Sequence, residues 1–396
     1  MARTREDRLT GKGPKRILAI DAGGARAILS AGLLAGLEAR LRRERSDAHF
    51  RLWDHFDLIG GVSSGAVLAA ALSAGASVEE ACGVLEESGP SPDGALQGDA
   101  VRRPKFDQQR LHETLEQAFG GARLGDPRIR TGLAILVKPL GEAAPELWSN
   151  APGSLTAERS FAEAICASLG GEHVFDGRQG YADAALAAPS PLLPLLRFAI
   201  SPRGLGWRRG AEHLSLVSLG AGRLRPELPG RVFDAPPDPT PAKVAANVAT
   251  RAAYALEAAL FDAQEEALAA IAEITVGEGE PAIAGALARF TRLDIDLTPT
   301  ALESLGFSAQ EHTLARARKP ATGAMLELWR RIGESAGGFA RLDQAPSVSI
   351  KVRNVAVAET GSPQFSPTAR SLRRRDRRAG EGKSRLELLS GVWGPK

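Results

Sequence analysis

The chain has 396 residues, of which 43% are hydrophobic, 24% are charged and 5% are aromatic, and its formal net charge is +3. These values are ordinary for a globular protein with at least one full hydrophobic core, and so small a net charge says little about partners. The scarcity of aromatic residues argues against a protein whose main task is stacking on single-stranded nucleic acid. We therefore expect no nucleic-acid partner.

The two cysteines, Cys82 and Cys166, each lie in an apolar stretch with helical periodicity. Two thiols are too few for a disulfide framework in a chain of this length, so small buried side chains in a reducing compartment are the simplest interpretation. Residues 1–15 lack the apolar core of a signal peptide, and no run approaches the roughly 18 consecutive apolar residues of a membrane span. These features predict a cytoplasmic protein.

Short apolar runs that alternate with amphipathic stretches predict an α/β protein. The first residues, 1–14, are polar and are expected to be flexible. Strands are predicted at 16–20, 56–59, 133–137, 147–149 and 214–219. Helices are predicted after each of the first two strands and at 157–169. We expect three layers, α/β/α, with a mixed and largely parallel central sheet and extra helices toward the C-terminus.

The region after residue 240 is predicted to be helical. Thr240-Pro241 is typical of a helix start, with a hydroxyl N-cap and proline in the first turn, and the helix is expected to reach about residue 273. Further amphipathic stretches lie around 282–290 and 324–332. We expect residues 240–340 to form a helical cover within one domain that extends over residues 15–355.

After about residue 356 the composition changes to proline, serine, glycine and arginine, including Arg373-Arg374-Arg375. Residues 356–396 are expected to form a disordered basic tail, the commonest outcome for such composition. Attachment to anionic lipid, worth about 1 kcal/mol per cation near the surface, is the second interpretation. Nucleic-acid binding is the third, because aromatic residues do not alternate with the arginines.

The pattern Gly61-Val62-Ser63-Ser64-Gly65 lies between a predicted strand and a predicted helix, which is the setting of a nucleophile elbow. Small neighbours are needed there because the backbone is crowded on both sides of the serine. The adjacent helix N-terminus favours developing negative charge. A glycine-rich turn that serves only tight packing is the alternative. Ser64 is the rival nucleophile, but it has no flanking glycine at the matching offset.

The segment Asp21-Ala22-Gly23-Gly24-Ala25-Arg26 follows the first predicted strand and precedes a helix. Consecutive small residues in this position leave backbone N–H groups able to point at an anion. A plain strand–helix turn is the simpler alternative. A nucleotide-phosphate site is disfavoured, because the segment has neither the lysine of a P-loop nor the third glycine of a dinucleotide fingerprint.

Asp183 lies among small residues in Tyr181-Ala182-Asp183-Ala184-Ala185. Most such aspartates cap a turn, so this motif gains weight only beside the other two. In this order the three motifs resemble the patatin-like phospholipase family. The resemblance is closest over residues 56–65, extends well over 16–222, and covers the remainder to about 355 only loosely.

The resemblance implies a serine lipid acyl hydrolase in which Ser63 is the nucleophile and Asp183 is its base. It implies an oxyanion hole formed by backbone N–H groups of Gly23, Gly24 and Ala25, with Arg26 helping to shape the loop. It implies no metal and no organic cofactor. The substrate would be a phospholipid or another acyl ester, met through peripheral contact with a membrane surface. It leaves the oligomeric state and the choice between sn-1 and sn-2 esters open.

The sequence departs from the family pattern in three places: Ala22 stands where the family usually has glycine, Ala27 replaces the glycine after the arginine, and Ala184-Ala185 replaces the usual Gly-Gly or Gly-Ala. Alanine still provides a backbone N–H. The oxyanion hole is therefore compatible with these residues if their φ angles are negative.

Two other functions remain open. The chain order Ser63, Asp183, His213 also suits an α/β-hydrolase with a catalytic triad, although His213 precedes an apolar strand, where a structural role is common. A non-catalytic module that binds lipid or protein on the same scaffold is the second alternative. Intact Ser63 and Asp183, with glycines flanking the serine, favour the enzyme.

Overall fold

A computed structural model describes residues 3–88, 108–170, 180–225, 240–276, 284–316 and 322–337. Within these ranges the strands are β1 (Lys15–Ile20), β2 (Leu58–Val62), β3 (Gly132–Pro139), β4 (Glu146–Ser149), β5 (Tyr181–Ala182), β6 (Leu214–Leu219) and β7 (Arg289–Leu293). The helices are α1 (Arg5–Thr10), α2 (Ala27–Glu44), α3 (Leu52–His55), α4 (Ser64–Ala74), α5 (Val78–Ser88), α6 (Gln108–Phe119), α7 (Phe161–Leu169), α8 (Leu192–Ile200), α9 (Pro241–Ile274), α10 (Pro299–Ser304), α11 (Ala309–Ala315) and α12 (Gly323–Gly337).

The described strands form one mixed sheet in the order β4-β3-β2-β1-β6-β7, and β5 pairs with β3 outside this path. The pairs β1–β2, β2–β3, β1–β6 and β6–β7 are parallel, whereas β4 and β5 run antiparallel to β3. Because parallel strands end at the same edge of a sheet, the segments that follow β1, β2, β6 and β7 meet at one edge. The two glycine-containing motifs, residues 21–26 and 61–65, both lie there.

Helices cover both faces of the sheet, so the predicted three-layer α/β/α fold is confirmed. In β1, Leu18 and Ile20 face a buried cluster with α2, α4, α5, α6, α7 and α12, while Ile17 and Ala19 face a second cluster with α8 and the end of α9. Alternate residues of a strand point to opposite faces, and each face is apolar here because each is covered. The uninterrupted apolar run of β1 follows from this double burial.

The expectation of a flexible N-terminus did not include a helix, yet residues 5–10 form α1. Thr4 caps this helix through a reciprocal capping box with Asp7. Arg8 and Leu9 are buried, and the Arg8 guanidinium donates to the Asp54 carboxylate at 2.6 Å. Asp54, which is distant in the sequence, thus compensates the buried charge of Arg8. The polar composition of residues 1–14 did not predict this contact.

The long helix predicted after Thr240 is confirmed as α9, and its N-cap hydroxyl accepts a hydrogen bond from the Lys243 N–H. The helical prediction at 282–290 is wrong at its described end, because β7 occupies 289–293 and extends the sheet beside β6. Helix α12 packs on α2 through glycines, since a Cβ at Gly333 would lie 2.3 Å from the Leu29 carbonyl oxygen. Residues 338–396, including the predicted basic tail, lie outside the described residues.

None of the helices in the described ranges combines the length and the apolarity needed to cross a membrane.

The two thiols differ in exposure, which predicts different reactivity. Cys166 is buried, and this burial, with a further contribution from Glu116, raises the pKa of its thiol to about 12, whereas Cys82 is partly exposed. Because the thiolate is the reactive form, we expect one equivalent of thiol to react with Ellman's reagent at pH 8 in the folded protein and two after denaturation. Equal rates for both thiols in the folded protein would contradict this assignment.

Candidate active site

Ser63 occupies a sharp turn between the end of β2 and the start of α4. Its backbone has φ 55° and ψ −126°, a strained combination for a residue with a side chain. Both flanking glycines are required by space: a Cβ at Gly61 would lie 2.3 Å from the Gly65 carbonyl oxygen, and a Cβ at Gly65 would lie 2.5 Å from the carbonyl oxygen of Asp21. The turn therefore has the strand–turn–helix context and the crowding expected of a nucleophile elbow.

The elbow is held by Ser168, near the end of α7. The Ser63 N–H donates to Ser168 Oγ at 2.7 Å, and that hydroxyl donates to the Leu136 carbonyl of β3 at 2.6 Å. Ser168 is fully buried. Sequence reasoning included this residue only as part of the resemblance and assigned it no contact with the elbow. A hydroxyl among the apolar residues at the end of this helix was the available signal.

Asp183 lies beside the serine although 120 residues separate them in the chain, and Ser63 Oγ donates to Asp183 Oδ2 at 3.3 Å. This distance is longer than the usual ~2.7–2.8 Å of an O–H···O bond. The other carboxylate oxygen, Oδ1, accepts from the Ala185 N–H at 3.0 Å. The carboxylate is therefore oriented by its own turn, with one oxygen directed at the serine.

Two elements bring Asp183 to this position. Strand β5 pairs antiparallel with the end of β3, with Ala182 opposite Lys138. Gly170, the residue after α7, has φ 87°, and a Cβ there would lie 2.5 Å from the Asp183 backbone nitrogen. Sequence reasoning did not single out this glycine, although a glycine that ends a predicted helix commonly adopts such a conformation.

The segment after β1 forms a short 3-10 turn over Gly24–Arg26 that leads directly into α2. The Gly23 N–H donates to Ser64 Oγ at 3.0 Å, and the Arg26 N–H donates to the Gly23 carbonyl at 3.0 Å. Within the described part of the chain, no acceptor is assigned to the N–H groups of Gly24 and Ala25. Of the four predicted oxyanion-loop residues, these two thus have backbone donors available to a ligand.

The alanines that replace family glycines fit this geometry. Among the described non-glycine residues, positive φ occurs at Ser46 and Ser63. The φ angles at Ala22, Ala27, Ala184 and Ala185 are therefore negative, which meets the condition set by the sequence. Gly24, with φ 53°, retains glycine at the position of the loop that needs it.

The structure does not assemble the alternative triad. The carbonyl of His213 accepts from the Lys15 N–H at the first residue of β1, whereas Ser63 lies beyond the last residues of the neighbouring strand. The six residues of β1 span about 20 Å. His213 Nε2 instead lies 3.3 Å from Glu212 Oε1 at the opposite edge of the sheet.

The comparisons with known proteins agree with the sequence resemblance. The family model of patatin-like phospholipase matches residues 18–196. Patatin-17 of Solanum cardiophyllum is 35% identical over 118 residues, which cover 27% of this chain and 29% of that protein. Patatin-like protein 4 of Arabidopsis thaliana is 35% identical over 121 residues, covering 27% and 30%. The matched segment thus spans about three tenths of the length of these relatives.

Solved structures with some similarity include two bacterial proteins. VipD from Legionella pneumophila gives a TM-score of 0.40 at 11% identity, covering 83% of this chain and 66% of that one. The complex ExoU-SpcU of Pseudomonas aeruginosa gives 0.30 at 15% identity, covering 65% and 52%. Similarity at these TM-scores carries no functional inference.

Proposed function

We propose that the chain, whose residues 18–196 match the family model of patatin-like phospholipase, is a serine lipid acyl hydrolase with a Ser63–Asp183 dyad. The observation that carries the proposal is the contact between Ser63 Oγ and Asp183 Oδ2 at 3.3 Å, at the tip of a strained strand–helix turn. A nucleophile and a base within hydrogen-bond reach, with the base oriented by a further contact, are the basic requirement of covalent acyl transfer.

In the proposed acylation step, Ser63 Oγ attacks the ester carbonyl carbon while Asp183 accepts the hydroxyl proton. The carbonyl oxygen becomes an oxyanion that accepts hydrogen bonds from the N–H groups of Gly24 and Ala25. Collapse of the tetrahedral intermediate breaks the bond to the alcohol, which leaves with the proton from Asp183. The product of this step is an acyl-enzyme on Ser63.

In the proposed deacylation step, water attacks the acyl carbonyl and Asp183 accepts one of its protons. The second tetrahedral intermediate expels Ser63 Oγ, which recovers the proton from Asp183, and the fatty acid is released. The N-termini of α2 and α4 both begin at this edge of the sheet, so their dipoles favour the negative charge that develops in both steps. Oxyanion stabilisation of this kind is often the largest single contribution to acyl transfer.

The proposed substrate class is phospholipids or other acyl esters, reached by peripheral contact with a membrane surface. Leu186 and Leu193 follow Asp183 closely in the chain and are 50% and 43% exposed. Singly exposed leucines are common on protein surfaces, so the proposed substrate class rests on the match to the patatin-like phospholipase model.

The proposal is tested by measuring hydrolysis of a short acyl ester and of phospholipid vesicles, together with covalent labelling by a fluorophosphonate. We expect the wild type to hydrolyse at least the short ester and to be labelled. The variant His213→Ala is expected to retain kcat within about twofold, because this histidine lies at the opposite edge of the sheet.

Three results would contradict parts of the proposal. A folded His213→Ala variant without activity would favour the triad. Wild type that is neither active nor labelled would favour a binding module on the same scaffold. Hydrolysis of the short ester without any on vesicles would restrict the function to a general esterase.

A further inference from the structure

A buried ionic cluster lies beneath the candidate oxyanion loop, centred on Arg292 of β7. Its guanidinium nitrogen Nη1 donates to Asp21 Oδ2 and to Ser218 Oγ, both at 2.6 Å, and its Nη2 donates to Asp294 Oδ2 at 2.7 Å. Arg292 is 7% exposed, and the two aspartates are 1% and 4% exposed. Arg292 lies outside residues 18–196, and the sequence analysis did not single it out.

Asp21 connects the cluster to the candidate oxyanion loop. Asp21 is the residue after β1, and the loop 22–25 begins at the next residue. A second donor reaches the same carboxylate oxygen, since Gln264 of α9 donates to Asp21 Oδ2 at 2.7 Å. The start of the loop is thus tied both to the edge strand β7 and to the long helix α9.

Asp294 holds a second loop, residues 220–222, that touches the first. Asp294 Oδ1 accepts from the Gly222 N–H at 3.0 Å, and a Cβ at Gly220 would lie 2.1 Å from Asp294 Oδ2. The loop 220–222 abuts the candidate oxyanion loop closely, because a Cβ at Gly23 would lie 2.4 Å from the Cβ of Ala221. Arg292 therefore links the two sides of this contact through one rigid, planar group.

The charges of the cluster favour a stable ion pair between Arg292 and its two aspartates. Burial raises the pKa of Asp21 to about 6, against the lowering effect of Arg292. Although burial acts to lower it, the two neighbouring carboxylates raise the pKa of the Arg292 guanidinium above its ordinary value. A buried ion pair of this kind stays together because separation would leave an uncompensated charge.

We propose that Arg292 is a positioning residue for the oxyanion loop: through Asp21 and Asp294 it fixes the backbone donors of Gly24 and Ala25 relative to Ser63. The proposal rests on the proposed function, since it assigns these donors a role in acyl transfer. Its energetic reason is that an error of about 1 Å in the placement of a catalytic group can cost about 100-fold in rate.

The test compares Arg292→Lys with the matched variant Arg8→Lys. Lysine keeps the charge but cannot reach both carboxylates and Ser218 with a planar fork. Arg8 is also buried and also paired with an aspartate, but it lies in α1 on Asp54, remote from the loop. We expect Arg292→Lys to lower kcat about 10- to 100-fold with KM within about threefold, and Arg8→Lys to lower Tm without changing kcat by more than about twofold.

A second readout does not depend on activity. Hydrogen–deuterium exchange of peptides that contain residues 21–26 and 220–223 is expected to accelerate in Arg292→Lys and to match the wild type in Arg8→Lys. Unchanged kcat in folded Arg292→Lys, or exchange that accelerates equally throughout the protein, overturns the proposal in favour of a purely structural ion pair.

The test also covers a variant that does not fold and a wild type that is inactive. If Arg292→Lys does not fold, Asp294→Asn provides the same comparison, because it weakens one of the two aspartate contacts while an amide oxygen can still accept from the Gly222 N–H. If the wild type hydrolyses no ester, the proposed function fails. Faster exchange confined to the two loops would then support positioning by Arg292, and unchanged exchange would reject it.

Discussion

Replacing Ser63 with alanine is expected to abolish ester hydrolysis, with a loss in kcat of at least about ten-thousand-fold. The reason is that the variant has no oxygen with which to form an acyl-enzyme, while the oxyanion donors and the binding surface persist. Alanine is also a small change for the fold, because the Ser63 hydroxyl contacts Asp183 and the tight packing of the elbow involves backbone. The measurement is kcat on a short acyl ester, with circular dichroism to verify folding.

The matched variant for this experiment is Ser64→Ala. Ser64 Oγ accepts from the Gly23 N–H at 3.0 Å, so its loss removes one hydrogen bond of the oxyanion loop but no nucleophile. A hydrogen bond of this kind contributes about 1 kcal/mol, so we expect activity within about tenfold of wild type. Fluorophosphonate should label Ser63 in this variant, as located by tandem mass spectrometry. A label on Ser64 in the wild type would assign the nucleophile to the neighbouring residue instead.

Asp183→Asn is expected to lower kcat by about a thousand- to ten-thousand-fold while KM changes little. The amide oxygen can still accept from the Ala185 N–H, so the local turn is retained. What the amide cannot do is accept the Ser63 proton. The substitution therefore removes the base and leaves the geometry, and steady-state kinetics on the same ester measure the difference.

Asp47→Asn is the control for this change. Asp47 Oδ1 accepts from the N–H two residues later, at His49, in the same local arrangement as Asp183, but it lies in the turn after α2. We expect wild-type kcat from this variant. Near-normal activity in folded Asp183→Asn would remove the aspartate from the mechanism, and the base would have to be sought among other groups near Ser63.

Several structural features were readable from local patterns alone. The mainly apolar runs at 16–20 and 214–219 match β1 and β6 in position, because strands buried on both faces consist largely of apolar residues. Thr240-Pro241 marks the start of α9, because helix capping depends on adjacent residues. By contrast, β7 was missed, since Arg289 and Arg292 give its sequence a period that does not distinguish a strand from an amphipathic helix.

The candidate reactive groups can be predicted from the sequence without the structure. They are a serine between glycines at a strand–helix turn, a glycine-rich loop and an aspartate among small residues. Each of these features depends on neighbouring residues and on the space around them, so a short segment of the sequence is enough to predict it. Only the tertiary structure decided which groups meet. Ser63 and Asp183 come together through the pairing of β5 with β3, and Arg292 reaches Asp21 across two parallel strand pairs. Such contacts depend on the order and register of the strands. These result from many weak interactions throughout the fold, so no single segment of the sequence predicts them.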